Sequence, residues 1–196
     1  KQADYDYTVE NLNKDWRAIA LAMKAADPTI KLMGPELSQW NDSYETTPKD
    51  AAQHDWMTEF LKANGDLVDV VTVHRYPMFS PTNGPVTAQQ LRENTRKWTK
   101  EVEYLHSLIK QTLGHDLPVA ITELNSDPSN AQLQEASPDS FYNAIWYADS
   151  LGQLMNADAF MVNQWVLSQR TTGLGLLKGD EVRPTFYVFP LYQNFG

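Results

Sequence analysis

The chain of 196 residues has no cysteine. That excludes a disulfide scaffold, a thiolate metal site and a cysteine nucleophile together. Positive charge is also scarce: 16 Lys and Arg stand against 25 Asp and Glu, a formal net charge of −9. A general nucleic-acid surface needs clustered basic side chains, so that class is excluded. No apolar run approaches the ~20 residues of a membrane span. No G-x-G-x-x-G and no phosphate loop follows any apolar run, so a nucleotide-binding Rossmann unit is unsupported. H-x-H, H-E-x-x-H and G-x-S-x-G are missing too, which removes the usual signals for a catalytic zinc site and a hydrolase serine elbow.

What is present suits a packed core: 42% hydrophobic residues, with 6 Trp and 9 Tyr, exclude intrinsic disorder. Val9, Leu12, Trp16, Ile19 and Met23 recur at three- and four-residue steps, one face of a helix capped by Thr8 and ended by Asp27-Pro28. A short apolar strand at 30–33 runs into Gly34-Pro35-Glu36. Thr47-Pro48 reads as a cap with Pro at the first helical position. That helix buries Ala52, Trp56 and Phe60 and stops at Asn64-Gly65.

The β-branched run 67–73 suits a parallel strand buried on both faces and runs into His74-Arg75-Tyr76-Pro77. Thr87 and Gln90 form a capping box for the longest helix, with Leu91, Trp98, Val102, Leu105 and Ile109 on one face. A strand at 117–122 ends at Glu123-Leu124-Asn125. A fourth helix opens at Ser137-Pro138-Asp139, with Phe141, Ile145, Ala148, Gly152 and Met155 inward. The last strand covers 159–165. Turn signals over 172–180 suggest a hairpin, and Arg183-Pro184-Thr185 leads into an aromatic helix over 186–195.

The order is thus α/β, four parallel βα units with helices between short strands. An open doubly wound sheet and part of a (β/α)₈ barrel both fit. A complete barrel needs eight strands and about 250 residues. The chain opens Lys1-Gln2-Ala3-Asp4 with neither Met nor signal peptide, and reads as a segment cut from something longer.

In parallel α/β folds the working residues stand where strands end. Those positions hold Glu36, His74 with Tyr76, Glu123 with Asn125, and Gln164 with Trp165. Carboxylates carry nucleophilic and acid–base work on acetals, and aromatic faces stack on sugar rings. A carboxylate ending a buried strand is costly unless paired or functional, so Glu123 is either catalytic or one half of a salt bridge. His74 and Tyr76 alternate along the chain and can point to one side. Each of His74 and Trp165 also has a plain packing alternative, and Glu36 a surface one.

Taken together, these strand ends resemble the C-terminal half of a clan A retaining glycoside hydrolase barrel, in the group of families 39, 44, 51 and 79. Val119-Ala120-Ile121-Thr122-Glu123-Leu124-Asn125 resembles the seventh strand, Val71-Thr72-Val73-His74-Arg75-Tyr76-Pro77 the sixth, Lys31-Leu32-Met33-Gly34-Pro35 the fifth and Asn163-Gln164-Trp165 the eighth. The resemblance implies a partial (β/α)₈ barrel over residues 1–196 that acts on oligo- or polysaccharides with no cofactor or metal. It implies Glu123 as nucleophile, Tyr76 as its hydrogen-bonding support, and His74, Asn125, Trp165, Gln164 and Glu36 as sugar contacts. It places specificity in the loops 38–47 and 78–86.

The pattern departs from the family at one point. The clan's acid/base Glu follows an Asn, and no Asn-Glu pair occurs here. Asp4-Tyr5-Asp6-Tyr7 resembles the tail of the loop after that residue. The chain is therefore expected to supply strands five to eight and the nucleophile, to be inactive alone, and to pair with an N-terminal half-barrel or a second copy of itself. A non-catalytic carbohydrate-binding half-barrel and an inactive fragment remain as alternatives. A polysaccharide substrate would place the protein outside the cell.

Overall fold

The computed structural model describes residues 6–40, 43, 45–78 and 84–195. Helix α1 (Val9–Ala26) leads into β1 (Met33–Ser38), followed by α2 (Trp56–Asn64), β2 (Val70–Arg75), α3 (Ala88–Asn94) and α4 (Trp98–Leu113). Then come β3 (Val119–Leu124), α5 (Phe141–Asn156), β4 (Met161–Gln164), the hairpin β5 (Leu177–Lys178) and β6 (Glu181–Val182), and α6 (Val188–Phe195). Strands β1 to β4 form one parallel sheet in the order β1-β2-β3-β4. This is the α/β succession expected of part of a barrel, and among the described residues each outer strand pairs on one side only.

One face of the sheet is packed by the helices. Val71, Val73, Val119, Ile121 and Leu124 meet Phe60, Leu61, Trp98, Leu105, Ile109, Trp146 and Leu154 in a continuous core. Gly34 sits where β1 passes under α1 and α2. A Cβ there would lie 2.7 Å from the Trp16 indole nitrogen and 3.2 Å from the Phe60 ring.

Local signals hold where the chain's own hydrogen bonds decide. Thr8 and Thr87 each close a capping box, and Gly114 ends α4 in the left-handed region. Elsewhere tertiary partners override them. Thr47 does not cap α2. The cap is Asp55, which accepts from the Thr58 N–H at 2.8 Å, while the Thr47 hydroxyl donates to Asp55 at 2.6 Å from the preceding loop. Ala52 lies in that loop and is exposed. The fourth helix opens at Ser140 rather than Ser137. The long helix from Thr87 is broken by a 3₁₀ turn at Thr95–Lys97.

Two helix faces differ from the periodicity. In α1, Val9 and Trp16 pack inward, but Ile19 is 61% exposed and Met23 48%. In α5, Phe141, Ile145 and Met155 are exposed and the buried face is Ala144, Trp146, Tyr147 and Leu154. α5 carries apolar residues on both sides, so periodicity alone cannot rank them. The choice falls to partners: Trp146 packs beside Trp98 and donates from its indole to Asn94 at 2.9 Å.

Candidate active site

All four strands run beyond their apolar segments. β1 continues through Glu36, β2 through His74 and β3 through Glu123, so these residues are paired in the ladder rather than lying past its end. Polar side chains can continue a strand here because they face away from the helices.

Two bulges aim the carboxylates. In β3 the register shifts so that Val73 pairs with Ile121 but His74 pairs with Glu123, leaving Thr122 as the extra residue. Strict alternation would turn Glu123 to the helix face with Ile121. The extra residue puts both Thr122 and Glu123 on the open face while Leu124 returns to the core. β1 repeats the device between Pro35 and Leu37, where Glu36 takes a left-handed backbone with φ of 62°. An αL conformation in a non-glycine residue is strained and persists only where surrounding contacts hold it. Here the Glu36 N–H donates to the Thr72 hydroxyl at 3.0 Å.

The side chains then meet in a line. The Tyr76 hydroxyl donates to Glu123 Oε1. His74 Nδ1 lies 3.3 Å from Glu123 Oε2, and His74 Nε2 lies 2.6 Å from Glu36 Oε2. The Thr122 hydroxyl donates to the same Glu36 oxygen. Behind them, Gln39, itself at φ of 60°, accepts the Tyr76 N–H at 3.1 Å.

The electrostatics follow from these contacts. Burial pushes the Glu36 carboxyl up, but hydrogen bonds from His74, Thr122 and Thr72 outweigh it and hold the group below its usual range. The hydrogen bond to Glu36 raises His74, against burial, and the charge of Glu123 adds to the rise. Burial, then the bond to Glu123, raises Tyr76, so its phenol stays protonated. Among the described residues no group of three or more His, Cys, Asp or Glu converges to hold a metal ion. Glu36 and Glu123 contact opposite nitrogens of one ring.

Glu36, His74, Tyr76 and Glu123 are thus brought together. Trp165 follows the end of β4 and is 44% exposed. Two expected site residues lie elsewhere. Asn125 is buried, donating to Trp165 O at 2.7 Å and Leu174 O at 3.3 Å and accepting from Ser126 N–H at 2.7 Å. Its amide braces the loops behind the site. Gln164 pairs in register with Leu124, on the packed face, and donates to Trp165 O at 3.0 Å. Thr122, Thr72 and Gln39 belong to the site and carry no signal of their own in the sequence. Of the two expected specificity loops, residues 41, 42, 44 and 79–83 lie outside the described residues.

This constellation can be set beside known proteins. The family model for glycosyl hydrolases family 39 matches residues 2–170. No curated protein matches the chain. Among solved structures, a monomeric β-xylosidase from Caulobacter crescentus CB15 is 18% identical with a TM-score of 0.65, over 94% of this chain and 37% of that one. An α-L-arabinofuranosidase from Thermotoga maritima is 17% identical with a TM-score of 0.68, over 94% and 36%. A Paenibacillus polymyxa xyloglucanase of glycoside hydrolase family 44 is 18% identical with a TM-score of 0.68, over 97% and 41%. The chain therefore spans 36–41% of the length of these structures. Their likeness shows the fold, a partial TIM barrel; the family match covers most of the sequence. The chain belongs to glycosyl hydrolases family 39.

Proposed function

We propose that this chain supplies the nucleophile side of a retaining glycosidase site, with Glu123 as the nucleophile. The observation that supports this most directly is the Glu123 carboxylate, turned by a bulge onto the open face and contacted by Tyr76 and His74. In the reaction a Glu123 oxygen bonds to the anomeric carbon as the bond to the leaving oxygen breaks, and water later cleaves the glycosyl ester. A second carboxyl must protonate the leaving oxygen and then activate that water. Glu36 is unsuited to this, because one of its oxygens already receives two donors and its carboxyl is held ionised.

The acid/base would come from a complementary half-barrel, either an N-terminal half or a second copy of this chain. Among the described residues both outer strands pair on one side only. A groove of about 200 Å³ lined by Trp16, Ile19, Met23 and Leu32 lies between α1 and β1. The substrate class would be oligo- or polysaccharide, with Trp165 as a ring platform beside the nucleophile.

Trapping tests the nucleophile. Dinitrophenyl 2-deoxy-2-fluoroglycosides need no acid assistance, so a panel that includes xylosyl and arabinofuranosyl forms can label this chain without an acid/base. Peptide mass spectrometry should find one adduct, on Glu123, absent from Glu123→Gln. An adduct on another residue would overturn the assignment. Ordinary glycosidase turnover of unactivated glycosides by this chain would overturn the nucleophile-only reading.

A further inference from the structure

The feature that the proposed reaction leaves unused is Glu36. It sits on the strand farthest from β3 within the β1-β2-β3 run, in a strained backbone conformation, yet it is linked to Glu123 through one ring. We infer that Glu36 is a positioning residue for Glu123, acting through His74: it fixes the ring orientation and the protonation that present Nδ1–H to the nucleophile.

The argument is one of donors and acceptors. A neutral imidazole has one N–H and one bare nitrogen; the imidazolium has two N–H groups. Each nitrogen of His74 faces a carboxylate oxygen, Glu36 at 2.6 Å and Glu123 at 3.3 Å. A bare nitrogen lone pair 2.6 Å from a carboxylate oxygen is repulsive, so a proton lies between His74 Nε2 and Glu36. With Glu36 ionised, that proton belongs to the ring, and the second carboxylate draws a second proton onto Nδ1. Among the described residues the charged groups facing the ring are Glu36 from β1 and Glu123 from β3. Tyr76 bonds Glu123 and not the ring, and the Arg75 guanidinium pairs with Glu101 of α4 at 3.3 Å.

The two bonds to Glu36 Oε2 come from neighbouring strands, His74 on β2 and Thr122 on β3. Its backbone N–H is tied to Thr72 of β2. Glu36 is therefore held at its backbone and at one carboxylate oxygen, as a group that orients another should be. Without it, His74 would keep a single, longer contact and could turn or lose its proton.

The inference rests on the nucleophile role proposed for Glu123, but its test needs no turnover. The chain has 4 His, so ring resonances of ¹⁵N,¹³C-labelled protein are assigned to His74 by comparison with His74→Gln. Both His74 nitrogens should be protonated at neutral pH, and the Glu123 carboxyl resonance should show an inflection at the His74 midpoint. Glu36→Gln should lower that midpoint by about 1 pH unit or more, while Glu36→Asp, which keeps the charge, should restore part of the rise. A His74 that titrates at the ordinary 6.5 in the unmodified protein overturns the inference, whether or not any variant folds. So does a natively folded Glu36→Gln with an unchanged midpoint. A failed trapping experiment would remove the nucleophile role and leave this titration result standing, so the two failures are separable.

Discussion

Glu36, its side chain 44% exposed, and Glu123, 22% exposed, are carboxylates on the open face of the sheet, where a partly desolvated charge needs a partner. Each is met by donors from other strands, and His74 serves both. The pH dependence follows. His74 is raised from 6.5, so the stability it contributes is complete below that value and is lost as pH rises through the raised midpoint. Glu36 is lowered from 4.5, so its contribution is complete above that value and is lost as pH falls through the lowered midpoint. The line therefore stabilises most around pH 5–6, between the two reference values. Melting temperatures of the chain and of His74→Gln should differ most in that window and converge on both sides. A gap that keeps widening above pH 8 would contradict this.

At the scale of elements, two bulges aim Glu36 and the proposed nucleophile Glu123. Glu123 could be singled out in the sequence because it follows a buried apolar run. Its direction could not, since alternation predicts the wrong face and an extra residue leaves no compositional mark. Thr122 carries no signal for the same reason, since it directly precedes Glu123 and alternation points it to the opposite face. Packing under β1 is equally specific. Gly34→Ala places a methyl against the Trp16 and Phe60 rings, which the core cannot readily yield. The substitution should cost about 1–3 kcal/mol, read as a lower urea midpoint at unchanged slope. Because Gly34 immediately precedes the Pro35–Leu37 bulge, the His74 midpoint should shift in the same variant.

At the scale of the whole molecule, several large apolar side chains lie exposed among the described residues. Among the described residues β1 and β4 each pair on one side only, leaving edges of the kind that proteins normally protect. Ile19, Leu21 and Met23 are exposed on α1, and Phe160 and Leu167 flank β4. Ile19 and Met23 stand on the apolar face that the α1 periodicity marks, Leu21 does not, and none of these side chains joins the core. This explains why the apolar face of α1 was legible in the sequence while its burial was not. Ile19→Lys should alter the chain's own unfolding free energy by no more than about 0.5 kcal/mol, because the side chain is 61% exposed. The same change should abolish association with a complementary half in sedimentation experiments. Strong destabilisation of the isolated chain by Ile19→Lys would show that the residue is part of its own core.

The order of helices and strands, the caps at Thr8 and Thr87, and the family are all written locally, in periodicity, short hydrogen-bonding motifs and the chemistry of strand ends. Such features depend on residues within a few positions of each other, so they can be read without a fold. The active-site line cannot be read this way. His74 joins carboxylates 38 and 49 residues away in the chain, and their meeting depends on parallel register and on two inserted residues. Asn125 and Gln164 fit the motif by position, yet packing turns their amides to backbone carbonyls. Which side chains reach the open face was decided only when the strands were laid beside each other.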